Sequence, residues 1–226
     1  MMKTLLLLAS SCVLSLTMVG CTNLQTTSSA PLSGTVSTNQ PIIAYFDPDS
    51  GEEECSCGST MDKGYSLTPV ENGFYRKLLG RDAQGRFLIQ DFYQNSDKKQ
   101  TSPFWIIEPQ GLNSFDSKYT DGDVINYREN GNIQFKSTYK DQQLVGKSFD
   151  YYANNQLAIE TEFLDEETTI QKRWYENGKP AVNQKMNPAD DYQILERTVF
   201  DEQGNIIDDE DQAQNIIDTI SEKVDQ

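Results

Sequence analysis

The chain contains no histidine. That absence removes the Ser-His-Asp and Cys-His constellations, in which an imidazole moves the proton, and the His-Glu-x-x-His zinc helix. A Gly-x-Ser-x-Gly elbow and a phosphate-binding glycine loop are missing as well. Carboxylate pairs of glycosidase type are what remains, yet the Asp and Glu residues fall in turns and at exposed strand positions, without an apolar setting to raise a pKa. The chain is therefore expected to be no enzyme, to need no cofactor and to hold no metal. Positive charge is also scarce: 19 Lys and Arg face 35 Asp and Glu, for a net charge of −16 over 226 residues. Such a surface repels nucleic acid and anionic headgroups, and a basic protein is the partner its charge favours. The same acidity would keep an exported protein soluble with no partner implied.

Long apolar runs are missing after residue 20, where no stretch approaches the eighteen or so residues of a membrane span. Before it, Lys3 precedes Leu5-Leu6-Leu7-Leu8 and then Val13, Leu14, Leu16 and Val19, the charged and apolar regions of a secretory signal. Met18-Val19-Gly20-Cys21 resembles the lipobox of bacterial lipoproteins, which implies that Cys21 becomes the lipidated first residue of the mature chain. Thr22 stands where that pattern would carry an aspartate to retain the protein at the inner membrane, so the resemblance implies the outer membrane, on its periplasmic side or surface. With about 0.8 kcal/mol per buried methylene, several acyl chains make such an anchor permanent. An ordinary signal peptide with an incidental cysteine is the alternative. Residues 21–40, rich in Thr, Ser and Asn, read as a lipidated, disordered tether.

Cysteine is nearly absent from what is left. Of four, Cys12 leaves with the signal and Cys21 is acylated, so only Cys55 and Cys57 remain. In an oxidising compartment they are expected to pair, within a strained ring or between chains; inert thiols and a soft-metal site lacking further ligands are the alternatives. They lie in an irregular segment, 41–68, whose Ile42 to Phe46 reads as a short edge strand.

What the chain does have is repetition. Tyr127-Arg128-Glu129-Asn130-Gly131-Asn132-Ile133 returns as Tyr151-Tyr152-Ala153-Asn154-Asn155-Gln156-Leu157, as Trp174-Tyr175-Glu176-Asn177-Gly178-Lys179-Pro180, and more loosely from Phe200 to Ile206. The corner residues Gly131, Asn155, Gly178 and Gly204 recur at steps of 24, 23 and 26, the period of units that must stack to bury a core. Asn-Gly predicts a hairpin with a type I′ turn, whose two central residues both take positive φ. Behind the corners, Phe135, Ser137 and Tyr139, and later Ile159, Thr161 and Phe163, alternate with polar residues as strands do. The aromatic-x-x-Asn-Gly-x-aliphatic corner, with Tyr139-Lys140-Asp141 and Gly146-Lys147-Ser148-Phe149-Asp150-Tyr151, resembles the MORN-like repeat of the bacterial YwqK-type antitoxin family. The resemblance covers about a third of the chain and implies a repeat sheet that neutralises a toxin.

The predicted fold is mainly β: an antiparallel meander of repeated β-hairpins, MORN-like with about 23–26 residues per unit, over 69–208. Phe74 to Leu79, the corner Asp82-Ala83-Gln84-Gly85 and Phe87 to Tyr93 form an earlier hairpin, and Phe104 to Ile107 a further strand. Ala213, Ile216, Ile217, Ile220 and Val224 predict an amphipathic capping helix over 209–226. Tyr127, Phe135, Tyr139, Phe149, Tyr151, Phe163 and Trp174 are expected to fill the core. The opposite face is expected to carry Lys136, Tyr152, Glu160, Glu162, Arg173 and Tyr175, as a solvated surface or as the candidate partner-binding face. The reading that follows is an outer-membrane lipoprotein that binds a protein partner, of immunity or antitoxin type, with a basic toxin or effector as target. A structural or assembly lipoprotein of the envelope is the alternative, and a carboxylate-dependent hydrolase the second.

Overall fold

In the computed structural model, which describes residues 40–48 and 65–225, each recurring corner builds the same loop. Gly131 N–H donates to Arg128 O at 2.8 Å, Asn155 to Tyr152 at 2.9 Å and Gly178 to Tyr175 at 2.8 Å, while each of those first residues donates its own N–H to the carbonyl four residues on. Positive φ falls on one residue per loop, 92° at Gly131, 68° at Asn155 and 80° at Gly178. The expected type I′ turn is thereby corrected to a three-residue type I turn closed by a glycine bulge. The asparagine before the corner explains the change. Asn130, Asn154 and Asn177 each accept the N–H two residues on through Oδ1, at 2.8, 2.8 and 3.0 Å, so a side-chain turn holds them in ordinary backbone geometry. Asp82 and Asp201 open two further copies, with Gly85 and Gly204 at φ 88° and 89°.

These loops join strands β1 (Ile42–Phe46), β2 (Tyr65–Ser66), β3 (Phe74–Arg81), β4 (Phe87–Tyr93), β5 (Phe104–Ile106), β6 (Thr120–Tyr127), β7 (Ile133–Lys140), β8 (Gln143–Leu144), β9 (Gly146–Tyr151), β10 (Leu157–Asp165), β11 (Thr168–Trp174), β12 (Pro180–Asn187) and β13 (Gln193–Val199). Among the described residues the thirteen form one antiparallel sheet, ordered β13-β12-β11-β10-β9-β7-β6-β5-β4-β3-β1-β2 with β8 beside β7. The fold is the expected meander, and helix α1 (Glu210–Asp225) follows it.

Register sets the two faces, because successive side chains alternate across a strand. On one face Val124 lies opposite Ser137, Ser148 opposite Thr161, Thr161 opposite Gln171, and Gln171 opposite Gln184. Ile159, Arg173, Val182 and Val199 form the neighbouring row on that face. Helix α1 covers this row, seating Ala213, Ile217, Ile220 and Val224 on Tyr152, Ala158, Ile159, Ala181, Val182 and Val199. Fully burying one such aliphatic side chain contributes about 1.5–3 kcal/mol. Asp209 caps the helix by accepting Gln212 N–H at 2.9 Å, and Glu210 and Asp211 complement its positive end. At its two ends the helix is held by the Arg197–Glu210 ion pair and by Arg128, whose Nη2 donates to Val224 O at 2.5 Å.

The same face is closed differently at its amino-terminal end. Phe87, Ile89, Phe104, Ile106 and Val124 pack beneath Leu112 and Tyr119 of the β5–β6 connection. That connection is irregular, and Arg76 sews it down. The guanidinium meets Asp91 through Nε at 2.7 Å and Nη2 at 2.8 Å, and Nη1 donates to Gly111 O and Ser114 O at 2.8 and 2.9 Å. Both side chains are 1% exposed, and Phe46, Phe104 and Phe115 surround the cation at 4.8–5.8 Å. Gly111 has no substitute there, since a Cβ would meet Tyr119 Cβ at 2.4 Å and Ile106 Cγ2 at 2.7 Å.

The expected aromatic core is corrected by this arrangement. Phe135, Tyr139 and Phe163 do face inward, but Tyr127, Phe149, Tyr151 and Trp174 occupy the opposite face, and none of the seven is fully buried. The core beneath α1 is aliphatic apart from Tyr152.

Candidate interaction surfaces

The face away from α1 has a row of its own. Lys136 lies opposite Phe149, Phe149 opposite Glu160, Glu160 opposite Lys172, Lys172 opposite Asn183, and Asn183 opposite Thr198. Beside it Lys147 pairs with Glu162, Glu162 with Ile170, Ile170 with Lys185, and Lys185 with Glu196. Lys147 Nζ reaches Glu160 at 2.8 Å and Glu162 at 3.5 Å, and these carboxylates hold its ammonium above the ordinary lysine range. Lys136 Nζ sits 5.6 Å from the centroid of the Tyr151 ring. Surface pairs of this kind contribute little to stability. They leave half-buried rings, Phe149, Tyr151 and Trp174, set among alternating charges.

Of the six residues expected on one face, Lys136, Glu160 and Glu162 are brought together there. The other three are elsewhere. Arg173 lies opposite Ile159 and Val182 on the covered face, where it brackets the helix: Nη1 donates to Ile217 O at 3.1 Å and to Ser221 Oγ at 2.7 Å, and Nε to Gln171 Oε1 at 2.9 Å. Burial lowers its pKa, opposed by Asp150 nearby. Tyr152 is 1% exposed and donates its hydroxyl to Trp174 O at 2.7 Å; burial, then the charge of Glu176, pushes the phenol up to about 12. Tyr175 does the same one unit on, donating to Phe200 O at 2.7 Å. The physical reason for the error is the bulge. Register shifts between Leu157 and Ile159 and between Arg173 and Trp174, so alternation counted through the corners lands on the wrong side. Lys172 holds the open position expected of Arg173. Lys147, Phe149 and Lys172 were missed, and counting each strand outward from its own loop would have found them.

The corners themselves form a ladder along one end of the sheet. Asn132 Nδ2 donates to Ala153 O at 2.8 Å, Asn155 Nδ2 to Asn132 Oδ1 at 3.1 Å, and Asn177 Nδ2 to Glu202 Oε2 at 2.9 Å. Each bond joins a loop to its neighbour about one repeat away. Cys21, Cys55 and Cys57, with the signal and most of the tether, lie outside the described residues.

A family model described as a MORN repeat variant matches residues 120–141 and 144–165, which are the hairpin β6–β7 and the strands β8 to β10. The chain thus carries MORN-like repeats at its centre. No curated protein matches the sequence. Among solved structures, one chain of the crystal structure of the GtfA/B complex bound to UDP and GlcNAc is similar over 70% of this chain at 10% identity, with a TM-score of 0.22. This chain spans 28% of that one, and a likeness so slight supports no inference about ligand or activity.

Proposed function

We propose that the protein is a lipid-anchored, non-enzymatic binding protein of the bacterial outer membrane, and that its repeat sheet holds a protein partner as an immunity factor holds a toxin. The observation that carries this reading is the open face: Phe149, Tyr151 and Trp174 stand half-buried on the side of the sheet that α1 leaves uncovered. Rings of this kind supply most of the energy of an interface, and the Lys and Glu rows around them supply steering and register. The lipobox-like Met18-Val19-Gly20-Cys21 supports the anchor, and tethering raises the effective concentration of a binder without new contacts. The resemblance of the corners to the YwqK-type antitoxins supports the toxin as the class of partner.

Co-culture tests the reading. A strain lacking the protein should be outcompeted by its parent on contact. Protection should return with the wild-type chain and not with Phe149→Ser combined with Tyr151→Ser, which removes two rings from the open face. Equal survival in co-culture together with a leaky envelope would overturn the antitoxin role in favour of an assembly lipoprotein.

A further inference from the structure

We infer that the cleft between the corner loops and α1 is a receptor for one long cationic side chain, the arginine or lysine of a basic protein segment. The cleft has a volume of about 270 Å³ and is walled by Tyr152 and Tyr175 on the sheet side and Ile216 and Ile220 on the helix side. Both tyrosine hydroxyls are already committed to Trp174 O and Phe200 O, and with Tyr152 1% and Ile220 2% exposed these two form the closed floor, so the surface open to a ligand is that of Tyr175 and Ile216. At the rim stand two carboxylates from successive repeats, Glu176 and Glu202. Apolar walls with rings suit an aliphatic stem, and carboxylates at the mouth suit its charged head.

The rim already shows which group it takes. Lys223 Nζ from the last turn of α1 sits on Glu176 Oε2 at 2.6 Å, with both side chains about half exposed at 46% and 47%. The Glu202 carboxylate is in no ion pair among the described residues: its Oε2 accepts the Asn177 amide, while the ammonium of Lys179 sits on the Glu202 backbone carbonyl at 2.7 Å. One carboxylate is thus paired with a cation of the chain itself, and the next is paired with none, its nearest ammonium being held by the backbone carbonyl. Negative charge at the cleft is felt by its walls: after burial, Glu176 is the strongest influence raising Tyr152, and Glu202 and Asp201 raise Tyr175. The 26 residues from Asp201 onward hold nine acids and one lysine, half of the chain's net charge of −16, which would draw a basic segment toward this end. Calcium or magnesium is a poor fit, since each wants six or more oxygen ligands, and no cluster of three acidic, Cys or His side chains suited to a metal occurs among the described residues.

The inference rests on the proposed binding role only in supplying the chemistry of a basic partner. The cleft lies on the helix side of the sheet and Phe149 and Tyr151 on the other, so the two readings fail separately. Titration of the mature protein with N-acetyl-arginine amide, with N-acetyl-citrulline amide as its uncharged twin, tests the cleft with no partner present. The arginine probe should shift the NMR signals of Tyr175 and Thr219, and the citrulline probe should not. Lys223→Ala should tighten the arginine probe about threefold, the strength of one exposed ion pair, and Glu176→Gln with Glu202→Gln should abolish the shifts while leaving the melting curve of the fold in place. Equal shifts from both probes, shifts that survive the double glutamine variant, or no response even in Lys223→Ala would overturn it.

Discussion

At the amino-terminal end of the sheet the β5–β6 connection is held over Phe87, Ile89 and Phe104 by a buried ion pair, whereas at the carboxyl-terminal end α1 lies over Ile159, Val182 and Val199 with a stripe of aliphatic side chains. The covers differ because their backbones differ. A helix satisfies its own interior hydrogen bonds and asks only for an apolar stripe and a cap, here Asp209. An irregular strap buries carbonyls that need donors, and Arg76 supplies them to Gly111 and Ser114 while Asp91 offsets the buried charge. Polar closure is therefore specific and brittle, and apolar closure is tolerant and graded.

The largest break in that contrast is Asp91→Ala. It strands the guanidinium of Arg76 in a site 1% exposed and should cost about 3–5 kcal/mol in urea unfolding. A loss below about 1 kcal/mol, within the range of an exposed pair, would mean the strap is held by packing alone. On the other side, Ile220→Ala removes a side chain 2% exposed at the centre of the helix cluster and should cost about 2–4 kcal/mol. Its effect should be graded along the series Val, Ala and Gly, and hydrogen exchange should report it in α1 and β10 to β12 ahead of β3 to β5.

The smallest effect concerns Asp150, a carboxylate on the sheet face beneath the helix. Burial raises Asp150, Arg173 lowers it, Asp225 raises it and Arg128 lowers it, leaving its pKa up at about 6. A carboxyl raised above its unfolded value binds its proton more tightly in the native state, so stability should increase as pH falls from about 6 toward about 4. Above pH 6 the charged form persists at a cost. Asp150→Asn should then stabilise the protein at neutral pH by about 1 kcal/mol and flatten that stretch of the pH profile. Unchanged thermal melts from pH 4 to 7 in both proteins would place Asp150 in contact with water.

The legible parts of the fold were those written in short stretches. The corners at Gly131, Gly178 and Gly204, the substitution by Asn155, the earlier hairpin at Gly85 and the helix stripe from Ala213 to Val224 all depend on five to sixteen consecutive residues. The open face was half legible. Lys136, Glu160 and Glu162 were placed together, and Arg173, Tyr152 and Tyr175 were not, because one extra residue at a bulge turns a strand over and leaves no mark in the pattern of hydrophobicity. Arg76 and Asp91 drew no attention at all, since a charged pair 15 residues apart on a hairpin reads as surface.

By itself the sequence determined the repeat, its corners and its order along one meander, since turn and strand preferences act over a few bonds and a fixed period forces like units to stack. Only the tertiary structure decided which face is shut and by what. Arg128 reaches Val224 across 96 positions and Arg76 reaches Gly111 across 35, contacts that exist only once register and bulges have turned particular side chains inward. Local propensity cannot specify them, because the energy of a buried charge or a seated isoleucine depends on partners that the chain brings near only by folding.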